Sequence, residues 1–179
     1  MVCVLLANGF EEIEALTQVD YLRRAGIEVA LATVGERIVT GGHQIAVEAD
    51  IFADSIKETP EMVIVPGGLG GVKGISESPC AVRLIKEAYE KTKLAAICAA
   101  PSLVASLGLV RGRRCTVYPG MEQAILDNGG IFVDEAVVTD GNLITGRAAG
   151  AAEEFAFAVI EALSGKQAAE KVRRGIVAR

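Results

Sequence analysis

Histidine and tryptophan are scarce in this 179-residue chain, which contains one His and no Trp. Four cysteines are present, but no two of them form a CxxC pair. Together with one His they do not show the spaced Cys and His ligands of a zinc site, so we expect no metal centre. A cytosolic domain of this size does not need disulfides, and reduced thiols are therefore the expected state.

Long hydrophobic runs and an excess of positive charge are also missing. No stretch approaches the roughly 20 apolar residues needed to cross a bilayer. The net charge of −5 argues against general binding to nucleic acid or other polyanions. The N-terminus begins apolar without a basic segment and soon turns acidic, which is typical of a strand and helix rather than a signal peptide. These features predict a cytoplasmic protein that binds neither membrane nor nucleic acid.

The hydrophobic residues, 51% of the chain, are mainly Ala, Val, Ile and Leu, which favours buried parallel strands covered by helices. Apolar runs alternate with amphipathic segments, and this pattern predicts one α/β domain over 1–179. We expect a flavodoxin-like three-layer sandwich with a mainly parallel sheet and helices on both faces. The predicted strands cover 2–7, 27–34, 61–65, 94–97, 115–118, 136–139 and 143–145, with a hairpin over 37–49. The predicted helices run from about 9 to 24 and over 79–91, 101–107, 150–163 and 166–172.

Three short features follow predicted strands and should meet at one edge of the sheet, where ligands of such folds bind. They are Asn8-Gly9, Gly67-Gly68 and Cys98. Asn8 is the expected N-cap of the first helix, with Glu11 completing a pattern similar to a capping box.

Cys98 lies where a small apolar strand turns into a helix, so its thiol is expected to face the helix N-terminus. Free N–H groups and the helix dipole there would lower the thiol pKa and give a reactive thiolate. The alternative is that Cys98 is a small buried hydrophobic residue, as most free cysteines are. Cys3 and Cys115 lie inside predicted strands and are interpreted as core residues, whereas Cys80 begins a helix and is expected to be partly exposed.

Four segments in the same order, LLANGFEEIEAL, VIVPGG, AAICAAPS and TDGNLITGRAAGAAEEFAFAVIEALSGK, resemble the ThiJ/PfpI superfamily. Within it they are most similar to the branch of the Parkinson-disease-associated protein deglycase and YajL. The resemblance covers almost the whole chain. It implies a homodimer packed through the first helix.

The resemblance also implies roles for particular residues. Cys98 and Glu14 would be catalytic, with a protonated Glu14 carboxyl beside the thiol and its pKa raised. The backbone N–H groups of Gly68 and Ala99 would form an oxyanion pocket, and Arg147 would orient anionic groups of the substrate. From the residues alone, Glu14 is equally well a charge at a helix N-terminus and Gly68 equally well an ordinary turn residue, whereas for Arg147 a surface position is the favoured interpretation.

The first helix shows two sides with little charge, which suggests that both are covered. One side holds Ala15, Val19, Leu22 and Gly26, and the other holds Phe10, Ile13, Thr17 and Tyr21, with Glu14 among them. The first side should meet the sheet and the second a partner subunit.

Two departures from the superfamily pattern affect the expected chemistry. Tyr118 stands where many members place a His, which weakens the case for acid–base catalysis, although YajL-like members also lack that His. Ala99 stands where the protease-like members have His, so a Cys–His protease dyad is not expected. The single His, His43, is interpreted as an exposed loop residue, with a contribution to the pocket across a dimer interface as the alternative.

Three functions remain open from the sequence. Cys98 would attack a small reactive aldehyde, or its adduct on a protein, with no cofactor or metal, as in a glyoxalase or deglycase. Alternatively, Cys98 would be oxidised to sulfinic acid without turnover, as in a redox sensor. The third function is a chaperone-like role that does not use the site.

Overall fold

Seven strands form the central sheet in the computed structural model, which describes residues 1–178. The sheet strands are β1 (Val2–Leu6), β2 (Val29–Thr33), β5 (Ile51–Phe52), β6 (Met62–Val65), β7 (Leu94–Ile97), β10 (Val137–Asp140) and β11 (Leu143–Gly146). Two short pairs lie outside it: β3 (Ile38–Thr40) with β4 (Ala46–Glu48), and β8 (Arg114–Cys115) with β9 (Ile131–Phe132). The helices are α1 (Glu12–Arg24), α2 (Leu69–Ser76), α3 (Pro79–Lys91), α4 (Ala100–Ser106), α5 (Glu122–Asp127), α6 (Ala152–Ser164) and α7 (Lys166–Gly175).

The strand order is β10-β11-β7-β6-β1-β2-β5, and every neighbouring pair is parallel except β10 with β11. This arrangement confirms the predicted flavodoxin-like fold with a mainly parallel sheet. Because β1, β6 and β7 are adjacent and parallel, their carboxyl ends lie side by side. The chain segments that follow them, at Asn8, Gly67 and Cys98, therefore meet at one edge of the sheet.

Strand β1 shows how the two faces of the sheet are buried. Val2, Val4 and Leu6 pack in one core with α1, α6 and α7, whereas Cys3 and Leu5 pack in a second core with the helices of the other face. All five side chains are fully buried, as expected for a central parallel strand covered on both sides. Burial of Cys3 in this core confirms its sequence interpretation, and Cys115 is likewise buried.

The predicted N-cap of the first helix was wrong. Gly9 turns the chain with φ at +84°, and α1 begins only at Glu12. The cap is Glu11, whose Oε2 accepts a hydrogen bond from the Glu14 backbone N–H at 2.7 Å. Asn8 Oδ1 instead accepts from the Thr40 N–H at 2.9 Å and so ties the hairpin of β3 and β4 to the end of β1.

The strand predicted over 115–118 was also largely wrong. Only Arg114–Cys115 is a strand, and it pairs with β9 outside the main sheet. The following residues bond to β11 and to the turn after β7 instead, since Thr116 N–H donates to Thr145 Oγ1 at 2.9 Å and Tyr118 N–H donates to the Cys98 carbonyl at 2.9 Å. Four elements were not predicted at all: β5, β9, α2 and α5. Strand β5 is only two residues long. Helix α2 contains three glycines, which are rare inside helices and so weaken the helical pattern of its sequence.

The two sides of α1 are covered differently from the prediction. Ala15 and Leu22 are buried in the core, as expected. On the other side Tyr21 is covered by α6 of the same chain: its hydroxyl donates to Glu153 Oε1 at 2.8 Å, and its ring lies 5.5 Å from that of Phe157. Only Ile13 remains conspicuously exposed, at 56%. Packing against α6 thus covers part of this side, and a partner subunit over the exposed part remains a prediction.

Within residues 1–178, no helix combines the length and the apolar character that a membrane crossing requires.

Candidate functional site

Cys98 has a backbone conformation that side chains other than glycine rarely adopt. Its φ is +65°, in the left-handed region, directly after β7 and two residues before α4. The conformation is held from both sides, because the Cys98 N–H donates to the Gly146 carbonyl at 2.9 Å and its carbonyl accepts from Tyr118. Such strain persists only where the surroundings fix it, and it is common at functional sites. The thiol is thereby turned out of the sheet and is partly exposed.

Two glycines after β6 allow the other parts of the site to approach the thiol. A Cβ atom on Gly67 would lie 2.5 Å from Glu14 Oε2, 2.6 Å from Cys98 Cβ and 3.0 Å from Cys98 Sγ. Gly68 has φ at +85°, and a Cβ there would lie 2.3 Å from the Gly9 carbonyl oxygen. Any side chain at either position would push these elements apart. Glycine at 67 is therefore what lets the carboxyl and the thiol share one space.

Glu14 lies on α1 with no part of it exposed. Its Oε2 accepts the Gly67 backbone N–H at 2.7 Å, whereas Oε1 is buried without a hydrogen-bond partner among residues 1–178. Burial raises the pKa of the Glu14 carboxyl to about 7, and the nearby Glu11 charge adds to this, while the Cys98 contact and the Gly67 N–H oppose it. The raised pKa agrees with the sequence expectation, and it means that Glu14 carries a proton in a large fraction of molecules near neutral pH.

The expectation that the Cys98 pKa is lowered was wrong in direction. Burial of the thiol, followed by the charge of Glu14, raises the pKa of Cys98 to about 12. The backbone N–H groups of Ala99 and Gly68 act in the opposite direction but do not outweigh these two effects.

Glu14 and Cys98 are better described as one coupled pair than as two independent groups. The charge of Glu14 opposes thiolate formation only when the carboxyl is ionised. A proton that moves from Cys98 to the Glu14 carboxylate leaves a thiolate beside a neutral acid, and this state avoids the repulsion between two anions. The pair thus holds two protons below about pH 7 and one proton above it, and that remaining proton can lie on either group.

A cavity of about 480 Å³ opens onto the thiol. Its wall is mainly apolar, and Gly68 and Ala99 present their backbone at the sulfur end. The lining residues are Glu11, Gly68, Leu69, Cys98, Ala99, Tyr118 and Met121. The structure thus brings together four of the five predicted site residues, because Glu14 lies beside the sulfur and Cys98, Gly68 and Ala99 line the cavity. Whether the two N–H groups bind an oxyanion remains a prediction.

Arg147 is not brought into this cavity. Its guanidinium pairs with Asp134 at 3.2 Å, on the wall of a neighbouring pocket. Its predicted role in substrate binding has no geometric support here.

His43 lies on the loop between β3 and β4 and pairs with the start of α1. Its ring Nδ1 lies 2.8 Å from Glu12 Oε2, and its backbone N–H donates to Glu12 Oε1 at 2.7 Å. The His43 side chain is 74% exposed, which agrees with its interpretation as a loop residue, but Glu12 is buried. These bonds lower the pKa of Glu12 and raise that of His43. The sequence reasoning missed this pair, because the two residues are 31 positions apart.

The sequence reasoning also missed three residues of the cavity wall, Glu11, Leu69 and Met121. Leu69 is 74% exposed, immediately after the Gly67-Gly68 turn, and its position beside a strand end was a usable signal. Glu11 was noticed only as a capping residue. Met121 precedes α5, which was not predicted.

Comparison with known proteins gives a consistent result. The sequence pattern of the DJ-1/PfpI family matches residues 1–162. The chain is 37% identical to the Drosophila melanogaster protein dj-1beta over 97% of this chain and 95% of that protein. The crystal structure of Drosophila DJ-1beta superimposes with a TM-score of 0.94, covering 99% of this chain and 97% of that chain.

Two further similarities concern chemistry. A Pyrococcus horikoshii protein named as a deglycase is 32% identical over 82% of this chain and 89% of its own length. The structure of oxidized Toxoplasma gondii DJ-1 is 30% identical in sequence, with a TM-score of 0.93 over 98% of this chain and 97% of that chain.

We predict that the buried Glu14 carboxyl makes the fold less stable as the pH rises. Its pKa is about 7 in the folded protein against 4.5 for an ordinary Glu, so the folded state holds the proton more tightly. Its contribution is fully present below pH 4.5 and is lost between pH 4.5 and about 7, a change on the order of 3 kcal/mol at most. The Glu14→Gln variant keeps an acceptor for Gly67 but cannot ionise. Its free energy of unfolding in urea should exceed that of the unmodified protein by a margin that grows from pH 5 to pH 8. A margin independent of pH would contradict this account.

Proposed function

This chain belongs to the DJ-1/PfpI family, and on that premise we propose that it is a stress-protection protein that acts through Cys98 on small reactive aldehydes or their adducts on proteins. The family and its relatives named as deglycases support the general role. The observation that carries the specific proposal is the Cys98–Glu14 pair at the wall of an apolar cavity. A nucleophile and a group that exchanges protons near neutral pH are there in contact.

The proposed reaction begins when the pair places its proton on Glu14. The Cys98 sulfur attacks the aldehyde carbon of a compound such as methylglyoxal, a C–S bond forms, and the carbonyl electron pair becomes an oxyanion. The oxyanion faces the N–H groups of Gly68 and Ala99. Glu14 then gives its proton to this oxygen and becomes a carboxylate.

The second half of the reaction uses Glu14 as a base. The carboxylate removes the proton from the former aldehyde carbon and returns it to the adjacent ketone carbon, while the proton of the new hydroxyl group moves to the ketone oxygen. The first carbon is thereby oxidised to a thioester while the second is reduced to an alcohol. Water then cleaves the C–S bond and releases lactate and the thiol. The substrate supplies both the oxidised and the reduced carbon, so the balance needs only water.

A second candidate function is oxidation of Cys98. It is favoured by the similarity to the structure of an oxidized DJ-1 and by the partial exposure of the thiol. Two equivalents of hydrogen peroxide would convert the thiol to sulfenic and then sulfinic acid, with two waters released. In this function Cys98 senses an oxidant and does not turn over a substrate.

The proposal includes a homodimer packed through α1. Support comes from Ile13, which is exposed on α1 near the site. Sedimentation equilibrium should give a dimer of the 18.7 kDa chain, and the Ile13→Asp variant should be monomeric. Leu126, an apolar residue on α5 that is exposed to a similar degree, provides the control, since Leu126→Asp should remain dimeric. A monomer at all concentrations before substitution would refute this part.

The enzymatic proposal predicts that the purified protein converts methylglyoxal to lactate, measured by an enzymatic lactate assay. Cys98→Ser should abolish the conversion. Cys80→Ser is the matched control, because Cys80 is a half-buried thiol outside the cavity, and it should retain full activity.

The same proteins distinguish the second function. If no lactate forms, mass spectrometry after mild peroxide treatment decides between the two candidates. A gain of two oxygens at Cys98 before the other cysteines would favour the sensor. Equal oxidation of all exposed thiols, together with no conversion of methylglyoxal, would contradict both functions.

A further inference from the structure

The wall of the cavity carries a negative charge, which affects the substrates that can reach Cys98. We infer that the Glu11 carboxylate makes the cavity select against electrophiles that carry a negative charge and favour neutral or amine-bearing ones. The inference rests on the proposed function, because selection among substrates requires that the protein acts on them. Its test measures access to the thiol and requires no turnover.

Glu11 is the only charged side chain among the described residues that line the cavity. Its position is fixed, because Oε2 accepts the Glu14 backbone N–H at 2.7 Å as the cap of α1. Its own backbone N–H donates to the Gly67 carbonyl at 3.0 Å. The carboxylate is therefore held at the cavity by bonds at both its side chain and its backbone, and it cannot swing away into solvent without uncapping the helix.

Neighbouring cations do not cancel this charge. Arg147 is paired with Asp134 on the wall of a different pocket. His43 comes close, since the ligand atoms of Glu11, Glu12 and His43 lie within 4.8 Å of one another, but its ring is paired with Glu12. Even a fully protonated His43 leaves the three groups with a net negative charge. The Glu11 charge also helps to raise the pKa of Glu14, so the electrostatic effect of Glu11 extends to the Cys98–Glu14 pair.

An anionic electrophile would bring a second negative charge into a cavity where a thiolate must also form. The repulsion would act in a mainly apolar space, where charges are less screened than in water. An aldehyde with a carboxylate, such as glyoxylate, should therefore react poorly. A neutral α-oxoaldehyde meets no such barrier, and an adduct on a molecule that carries an ammonium group is attracted.

The test uses two thiol reagents that share the same reactive group and spacer but carry opposite charges. These are 2-aminoethyl methanethiosulfonate, a cation, and 2-sulfonatoethyl methanethiosulfonate, an anion. With either reagent the Cys98 thiolate attacks the sulfenyl sulfur, a disulfide forms, and methanesulfinate leaves. The rates are followed by mass spectrometry at Cys98. Because the same thiolate attacks both reagents, their rate ratio is independent of the Cys98 pKa.

We expect Glu11→Gln to lower the cation-to-anion rate ratio by about threefold or more. The substitution keeps an oxygen to cap α1, and circular dichroism checks the fold. Glu28→Gln is the control for net charge, because Glu28 is exposed at the amino end of β2, the opposite end of the sheet from Cys98. Its ratio should equal that of the unmodified protein. In the unmodified protein, added salt should also reduce the ratio.

An unchanged ratio in Glu11→Gln, or an equal fall in Glu28→Gln, would overturn the inference. Failure of the proposed function appears elsewhere, as absence of lactate from methylglyoxal. The two failures can therefore be told apart.

Discussion

The contact between the Glu14 carboxyl and the Cys98 thiol across Gly67 is the constraint on which the rest of the site depends. A fully buried carboxyl with one oxygen that finds no partner among residues 1–178 is unfavourable when ionised, and a largely buried thiol is unfavourable as a thiolate. Placed together, each group limits the charge of the other. The result is a pair that changes from two protons to one near neutral pH, which suits either proton transfer during catalysis or controlled oxidation.

The fold supplies this contact through three adjacent strands. Parallel β1, β6 and β7 deliver α1, the glycine turn and the cysteine to one edge of the sheet. The left-handed conformation of Cys98 then turns its thiol toward Glu14, and Gly67 leaves the space between them. The cavity beyond is apolar apart from Glu11, so the charges at the site are few and each has a strong effect.

The sequence was sufficient to predict the sheet and the residues beside the thiol. Apolar runs identify buried strands, and the family resemblance predicts that Glu14, Gly68 and Ala99 lie beside the Cys98 thiol, where the structure has them. It was insufficient where the outcome depends on competing energies. The direction of the Cys98 pKa shift depends on burial and on the Glu14 charge, and neither is visible in the pattern around Cys98. The Arg147–Asp134 pair and the Glu12–His43 pair depend on loop paths, and α2 was hidden by its glycines.

The most direct test of the central claim is a titration of the Cys98 thiolate by its ultraviolet absorbance. The absorbance of the Cys98→Ala variant is subtracted so that the other thiols and the tyrosines cancel. If an ionised Glu14 opposes the thiolate, Glu14→Gln should lower the pH at which the thiolate forms by at least about one unit. Identical titration curves for the two proteins would show that Cys98 ionises independently of Glu14 and would contradict the account.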